Sequence, residues 1–371
     1  MLFCNTANEI FIKINIERIK TMKKTLIRII VMMLTLALLL PFASCFKGNE
    51  ENGGLNTDQT DVINSNQAAA PADRDLEIKV YALNGTTALG MAKMIDSAKN
   101  NTDDMNYNIS LYPSADAITA AIIKGECAIA ALPTNVAVKL FNKSEGKLQL
   151  LALNTLGVLY LLQNGENITS LSDLEGKTVY VPGAGANPEY ITAALLSAAG
   201  VKNVTIDATT YNSPDALQTA VIAGKAPLAV LPEPKVTVTT SGNPGVSVAL
   251  NLTDEWERIN GVNTLVQGCL VVNTAFAKEH PTEVKKFLED YKASVEFISA
   301  GSDEAIDMIV SAGILPKAAV AKKALPGCNI CYIAGEDMKP VMNTFCEKIF
   351  AYDKTSIGGA MPTDAFYYVA K

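Results

Sequence analysis

Two turns in this chain are built to present polar groups at a helix start. They read Asn84-Gly85-Thr86-Thr87 and Gly183-Ala184-Gly185-Ala186-Asn187. Each follows a short apolar run and precedes an amphipathic stretch, so the unpaired N–H groups of a first helical turn should point outward there. Such groups suit oxyanions or polar heteroatoms. A second pair of turns follows later apolar runs: Leu132-Pro133-Thr134-Asn135 offers a hydroxyl and an amide, Leu231-Pro232-Glu233-Pro234 a carboxylate. A carboxylate repels a bare anion and suits an amino-pyrimidine or another N–H-rich ring. Glu189 adds a second carboxylate, and Tyr112, Tyr190 and Tyr211 offer faces for stacking or for plain packing. The expected binding set is therefore Asn84, Thr86, Thr87, Tyr112, Thr134, Asn135, Gly183, Gly185, Asn187, Glu189, Tyr190 and Glu233. Ser114 and Ser213, each followed two residues on by Asp, are expected to be helix N-caps.

The same inventory holds no catalytic constellation. His280 is the only histidine, and the Pro281-Thr282-Glu283 that follows it is a helix-start sequence. A Ser or Cys nucleophile therefore has no second His to serve as its base. The Gly183 turn lacks the third glycine of a dinucleotide site and the lysine of a phosphate loop. Glu189 and Glu233 are a carboxylate pair whose separation the sequence does not fix. Cys328-Asn329-Ile330-Cys331 lies in an apolar, strand-like run from Cys328 to Ile333, where residues three apart face opposite sides. With Cys127, Cys269 and Cys346 it makes an odd count, so buried thiols are expected. Zinc has too few ligands, and no metal or cofactor is expected.

The elements that must position the polar turns are written twice. At a constant offset of 99 residues, Val80-Tyr81 recurs as Val179-Tyr180, Tyr112 as Tyr211, Ser114 as Ser213, Asp116-Ala117 as Asp215-Ala216, Gly125 as Gly224 and Leu132-Pro133 as Leu231-Pro232. Each copy alternates short apolar runs with longer amphipathic stretches, a βαβαβ unit. Ligands of open parallel sheets sit beyond the carboxyl ends of the strands, where these turns fall. Two such lobes facing each other enclose a cleft. Leu148 to Leu153 and Cys269 to Asn273 read as strands that cross between the lobes, which implies a hinge. Helices are expected over Pro281 to Ile298, Asp303 to Ala312, Lys317 to Ala324 and Glu336 to Ala351. Residues 76–153 with 268–371 make lobe 1, and 154–267 make lobe 2.

The chain has 371 residues, 49% hydrophobic and 19% charged, enough for two packed lobes. Its 31 basic and 38 acidic residues leave a formal charge of −7 and no basic patch for nucleic acid. Arginine occurs only at positions 18, 28, 74 and 258, so an arginine clamp on an anion has few candidates. Lys23, Lys24 and Arg28 precede an apolar run from Ile29 to Leu40 that closes on Phe42-Ala43-Ser44-Cys45. That is a signal peptide over 22–44, shorter than the ~20 apolar residues of a membrane span. The last four residues resemble a lipobox with Phe42 at the position more often held by Leu, and Cys45 is expected to carry lipid. Residues 1–21 precede a normal signal start at Met22 and are expected to be an upstream, mis-assigned beginning. From Cys45 to Asp75 the chain is polar and poor in apolar residues, as a flexible tether is.

Three segments carry a family resemblance. Leu174-Glu175-Gly176-Lys177-Thr178-Val179-Tyr180-Val181-Pro182-Gly183, followed by Asn187-Pro188-Glu189-Tyr190, resembles the second-lobe opening of solute-binding proteins of the nitrate, sulfonate and thiamine-precursor type. Gly125 to Ala137 is similar to their first-lobe exit, and Ser356-Ile357-Gly358-Gly359 to Phe366-Tyr367-Tyr368 resembles the tail of one branch. The resemblance covers about residues 75 to 371. It implies an α/β, two-lobe type II periplasmic-binding-protein fold, each lobe a mostly parallel sheet flanked by helices and hinged by two crossing strands. It also implies a lipid-anchored, extracytoplasmic protein that hands a small polar solute to the permease and ATPase of an ABC-type importer. A pyrimidine-like ring is preferred over sulfonate or nitrate because of Glu233, Glu189 and the shortage of arginine. Two other readings stand beside it: a sensing or structural surface lipoprotein without transport, and an enzyme on the same scaffold.

Overall fold

A computed structural model describes residues 71–370. The segment expected to be a signal peptide, Cys45 and nearly all of the expected tether lie outside the described residues. The first copy of the repeat runs β1 (Ile78–Leu83), α1 (Thr86–Leu89), α2 (Ala92–Asn100), β2 (Tyr107–Tyr112), α3 (Ala115–Lys124), β3 (Ile129–Pro133), α4 (Thr134–Lys143) and β4 (Leu148–Leu156). The chain then crosses to β5 (Leu159–Asn164) and the second copy: β6 (Thr178–Tyr180), α5 (Asn187–Ala198), β7 (Thr205–Asp207), α6 (Pro214–Ile222), β8 (Leu228–Pro232), α7 (Lys235–Gly242) and β9 (Val246–Asn251). After α8 (Leu252–Asn260) it returns as β10 (Val266–Asn273) and continues through α9 (Thr274–Glu279), α10 (Pro281–Ser299), α11 (Asp303–Ser311), α12 (Ala318–Ala324), β11 (Ile330–Ala334) and α13 (Met338–Tyr352).

These strands form two sheets, ordered β11-β4-β10-β3-β1-β2 and β7-β6-β8-β5-β9. In each, the repeated trio is parallel, while the hinge and edge strands run antiparallel, so both sheets are mixed. The duplication extends to detail. Tyr81 packs on Tyr112 at 4.8 Å between ring centroids, and Tyr180 on Tyr211 at 5.5 Å. The Asn84 N–H donates to the Tyr112 carbonyl, and the Gly183 N–H to that of Tyr211. The strand beside the lobe 1 trio, β10, returns to it from beyond lobe 2, whereas β5, beside the lobe 2 trio, directly follows the crossing from β4. Each brings an asparagine that caps a helix, Asn273 onto the Ile122 carbonyl and Asn164 onto that of Val221.

Two local expectations are corrected. The helix after β1 is not continuous but breaks at Gly90, where a Cβ would lie 2.4 Å from the Tyr291 hydroxyl. The contact with α10 leaves room only for glycine at position 90, and α1 is a single turn, too short to sum many peptide dipoles. Cys328 does not begin a strand: it ends a 3-10 turn over Leu325–Cys328, and Asn329 takes φ 41° before β11 starts. All five cysteines of the described residues are free, and burial pushes the Cys127 and Cys331 thiols up to about 12. His280 caps α10 at its backbone and packs on Phe276. Ser213 accepts from the Ala216 N–H as a cap, whereas Ser114 caps by backbone position alone.

Helices α10 and α11 cover the α2 side of lobe 1. Helix α13 instead packs on α5 of lobe 2, and the tail after it returns to lobe 1. There Asn142 donates to the Ile357 and Ala360 carbonyls at 2.8 and 2.7 Å, Phe366 packs on Phe141, and the Tyr368 N–H joins Leu150. One apolar cluster accordingly runs through both lobes.

Asp103, in the turn before β2, has one buried carboxylate oxygen without a partner. Burial first, then the charge of Asp290, pushes its carboxyl up to about 6, although Ser97 and Lys286 pull the other way. A carboxyl with a raised folded-state value weakens the fold as pH rises, from the unfolded value near 3.8 until about 6. Asp103→Asn is therefore expected to raise Tm at neutral pH and to change it little below about pH 4. Thermal melts at both pH values check this; an equal gain at both would remove the charge explanation.

Candidate functional site

The polar turns meet along the seam between the lobes, near the hinge. Thr134 opens α4, and its buried hydroxyl donates to the Val266 carbonyl at 2.8 Å. Asn187 opens α5 from the other lobe; its Nδ2 donates to the Thr134 hydroxyl at 3.2 Å and to the Gln267 carbonyl at 3.3 Å. Asn135 Nδ2 donates across the seam to the Gly185 carbonyl at 3.3 Å. Backbone carbonyls thus fix which way both amides face. The other end of each amide, Asn135 Oδ1 and Asn187 Oδ1, is buried and has no hydrogen-bond partner among the described residues. Their side chains are 0% and 4% exposed, so two strong acceptors are buried without a donor from the described residues.

Lys139, which the sequence reading passed over, reaches the same place. Its Nζ donates to the Gly185 carbonyl at 3.1 Å and lies 5.0 Å from the centre of the Tyr190 ring. Burial, and then the charge of Lys143, hold this ammonium below the ordinary lysine range, with Asp353 and Glu189 opposing. The available signal was its spacing: position 139 lies one helical turn beyond Asn135 and shares its face. Gln267 was also missed. Its side-chain oxygen accepts from the Val158 N–H at 2.7 Å, which ties the two crossing segments together.

Both carboxylates accept hydrogen bonds from residues four positions away. Glu189 Oε2 accepts from the Gly185 N–H at 2.6 Å and so closes the glycine turn. Glu233 is buried, and its two oxygens accept from the Thr237 N–H and hydroxyl at 3.0 and 2.9 Å. Burial pushes its carboxyl up, while these bonds and Lys323 pull it down. Thr87 is buried and donates back to the Leu83 carbonyl, Thr86 is half-buried, and Asn84 is exposed. Tyr112 lies in its pair with Tyr81, and Gly183 at φ 79° approaches the Asn212 carbonyl. The seam thus gathers Thr134, Asn135, Gly185, Asn187 and Tyr190 at one edge, with Glu233 toward the other. Among the described residues no group of three or more His, Cys, Asp or Glu is placed to hold a metal ion.

Solved structures share the fold of this chain. An ABC transporter protein from Parabacteroides distasonis is 24% identical, with TM-score 0.67, over 80% of this chain and 100% of its own. The periplasmic aliphatic sulphonate binding protein SsuA from Escherichia coli is 13% identical, with TM-score 0.62, over 77% of this chain and 92% of its own. This is a periplasmic-binding-protein fold. The alkanesulfonate-binding protein SsuA from Xanthomonas axonopodis pv. citri, bound to MOPS, has the same periplasmic-binding-protein fold at 14% identity and TM-score 0.59, over 76% of this chain and 94% of its own. Residues 145–305, which take in the hinge strands and lobe 2, match the family model described as NMT1/THI5 like. No curated protein sequence matches the chain. In this chain the seam lies between the two sheets of that fold, and Thr134, Asn135, Gly185 and Asn187 meet across it.

Proposed function

We propose that this protein is the extracytoplasmic solute-binding component of an ABC-type importer, held at the membrane through lipid on Cys45. It closes its lobes on a small polar solute and presents the closed form to a membrane permease and its ATPase. The observation that carries this reading is the pair of buried amide oxygens, Asn135 Oδ1 and Asn187 Oδ1, at the interlobe seam. A solute with N–H groups would supply the donors they lack, and leaving them unpaired costs about 1–3 kcal/mol each. The fold and the NMT1/THI5-like segment support a binding role, and the seam offers no nucleophile with a base for catalysis. The preference for an N–H-bearing, pyrimidine-like ring therefore rests on these amides rather than on Glu233 and Glu189.

Lys139 favours a second ligand class. A half-buried ammonium at the seam suits a sulfonate or another anion, in line with the MOPS-bound SsuA. A thermal-shift panel of aminopyrimidines, MOPS and nitrate, with native mass spectrometry of the purified chain, decides between them. An aminopyrimidine is expected to raise Tm with concentration as RT ln(1 + [L]/Kd) requires. A response to MOPS alone would transfer the reading to anions, and no response to any of them would favour a surface lipoprotein without transport.

A further inference from the structure

We propose that the two lobes are strapped together along one edge by α13 and its tail and latched along the other by Lys323, so that the cleft opens by parting the Lys323 edge. This inference rests on the solute-binding reading above and adds to it which edge of the seam parts.

The strapped edge is apolar and continuous. The chain leaves lobe 1 at β11, lays α13 against α5 of lobe 2, and comes back to lobe 1 with the tail. Phe345 of α13 lies 5.9 Å from Trp256 of α8, the single tryptophan of the chain. Phe345, Ile349, Trp256, Ile191, Leu195 and Phe141 belong to one buried cluster that draws on both lobes. The tail is sewn onto α4 beside it: Gly358, at φ 83°, lies so close that a Cβ there would meet Lys139 Cα at 3.1 Å. Lys139 and Asn135 in turn hold the Gly185 carbonyl of lobe 2. Parting this edge would expose apolar surface to water and strip the tail from α4.

The opposite edge is polar. Lys323 of α12 donates to the Ser241 hydroxyl of α7 at 3.0 Å, and both residues are exposed. The Gly327 backbone lies against Glu233 and the Tyr160 hydroxyl. Here the apolar cores do not merge: Ala321, Ala324 and Leu325 belong to the rear core of lobe 1, and Val236 to the outer core of lobe 2. Parting this edge returns an ammonium and a hydroxyl to water, an exchange that costs little. A motion that keeps the strap and releases the latch is the one these contacts favour.

Spin-label distances on the full chain test the proposal without any solute. One pair, Lys322→Cys with Pro244→Cys, spans the latch; the other, Lys143→Cys with Ser197→Cys, spans the strap. Cys4, Cys45 and Cys331 are replaced by serine. Lys323→Ala is expected to raise the long-distance population of the latch pair about fivefold, the effect of losing one hydrogen bond of ordinary strength, and Ser241→Ala to do the same. The strap pair should stay narrow in both variants. Equal broadening of the two pairs, or an unchanged latch pair in both variants, would overturn the proposal. Because no ligand enters the measurement, a silent solute panel would sink the transport reading and leave this result standing, and the reverse holds as well.

Discussion

Replacing Gly157 by alanine is expected to destabilise the fold by about 3 kcal/mol, at the upper end of ordinary overpacking, and Thr253→Ala in the same chain is expected to restore most of that loss. Gly157 lies in the crossing from β4 to β5, where a Cβ would sit 2.2 Å from Thr253 Oγ1 and 2.8 Å from both Thr253 Cγ2 and Leu265 Cδ2. The site has little room to yield, because Asn329 Nδ2 holds the Gly157 carbonyl at 2.5 Å. Thr253 Oγ1 is buried without a partner, so removing it sacrifices no hydrogen bond. Gly268, on the returning strand, is crowded in the same way: a Cβ would meet Asn154 Oδ1 at 2.5 Å and Thr155 Oγ1 at 2.8 Å. Denaturant titrations of Gly157→Ala, Thr253→Ala and the double variant form the cycle. If the double variant is no more stable than Gly157→Ala, crowding against Thr253 is not the cause.

Removing the amide of Asn187 is expected to weaken binding of the stabilising solute about 10- to 100-fold, with Asn135→Ala close behind, since each strips a buried acceptor of the kind worth ~1–3 kcal/mol. Asn187→Ala has the larger effect because it also breaks the bonds to Thr134 and Gln267 that join the lobes. Glu233→Gln is the contrast. The Glu233 oxygens already serve Thr237, so its change should leave affinity within a few fold. Isothermal titration of the three variants would settle the order. A large loss in Glu233→Gln with little in the asparagine variants would return the site to the carboxylate and remove the amides from it.

The fold was legible because its signals are local and repeated. The Tyr81 and Tyr112 pair with its echo at Tyr180 and Tyr211, the two Leu-Pro turns, and the alternation of strand and helix all survive in sequence at one offset, and they coincide with matching strands. Much of the seam was legible too, since Thr134, Asn135 and Asn187 occupy the first positions of helices that follow strands. What escaped depends on long-range geometry. That Thr237 bonds both Glu233 oxygens was signalled in sequence only by their four-residue spacing. Lys139 sits on an ordinary amphipathic helix, and only the approach of lobe 2 gives it the Gly185 carbonyl and the Tyr190 ring. Gly90 splitting a helix is equally non-local, because the group that demands the space is Tyr291, far along the chain.

The return of β10 and β11 to the first sheet sets an order of events for the newly made chain. The sheet of lobe 2, from β5 to β9, is drawn from one continuous stretch, Leu159 to Asn251, and has all its strands as soon as that stretch has emerged. The other sheet waits for β10 and β11, so it stays incomplete until Ala334 is available, long after β1 was made. Closing it requires contacts of large sequence separation, which form slowly. A chain that cannot finish its first-made sheet early keeps the strands of that sheet short of partners for most of its synthesis, and the N-terminal half is not expected to persist as a folded fragment on its own.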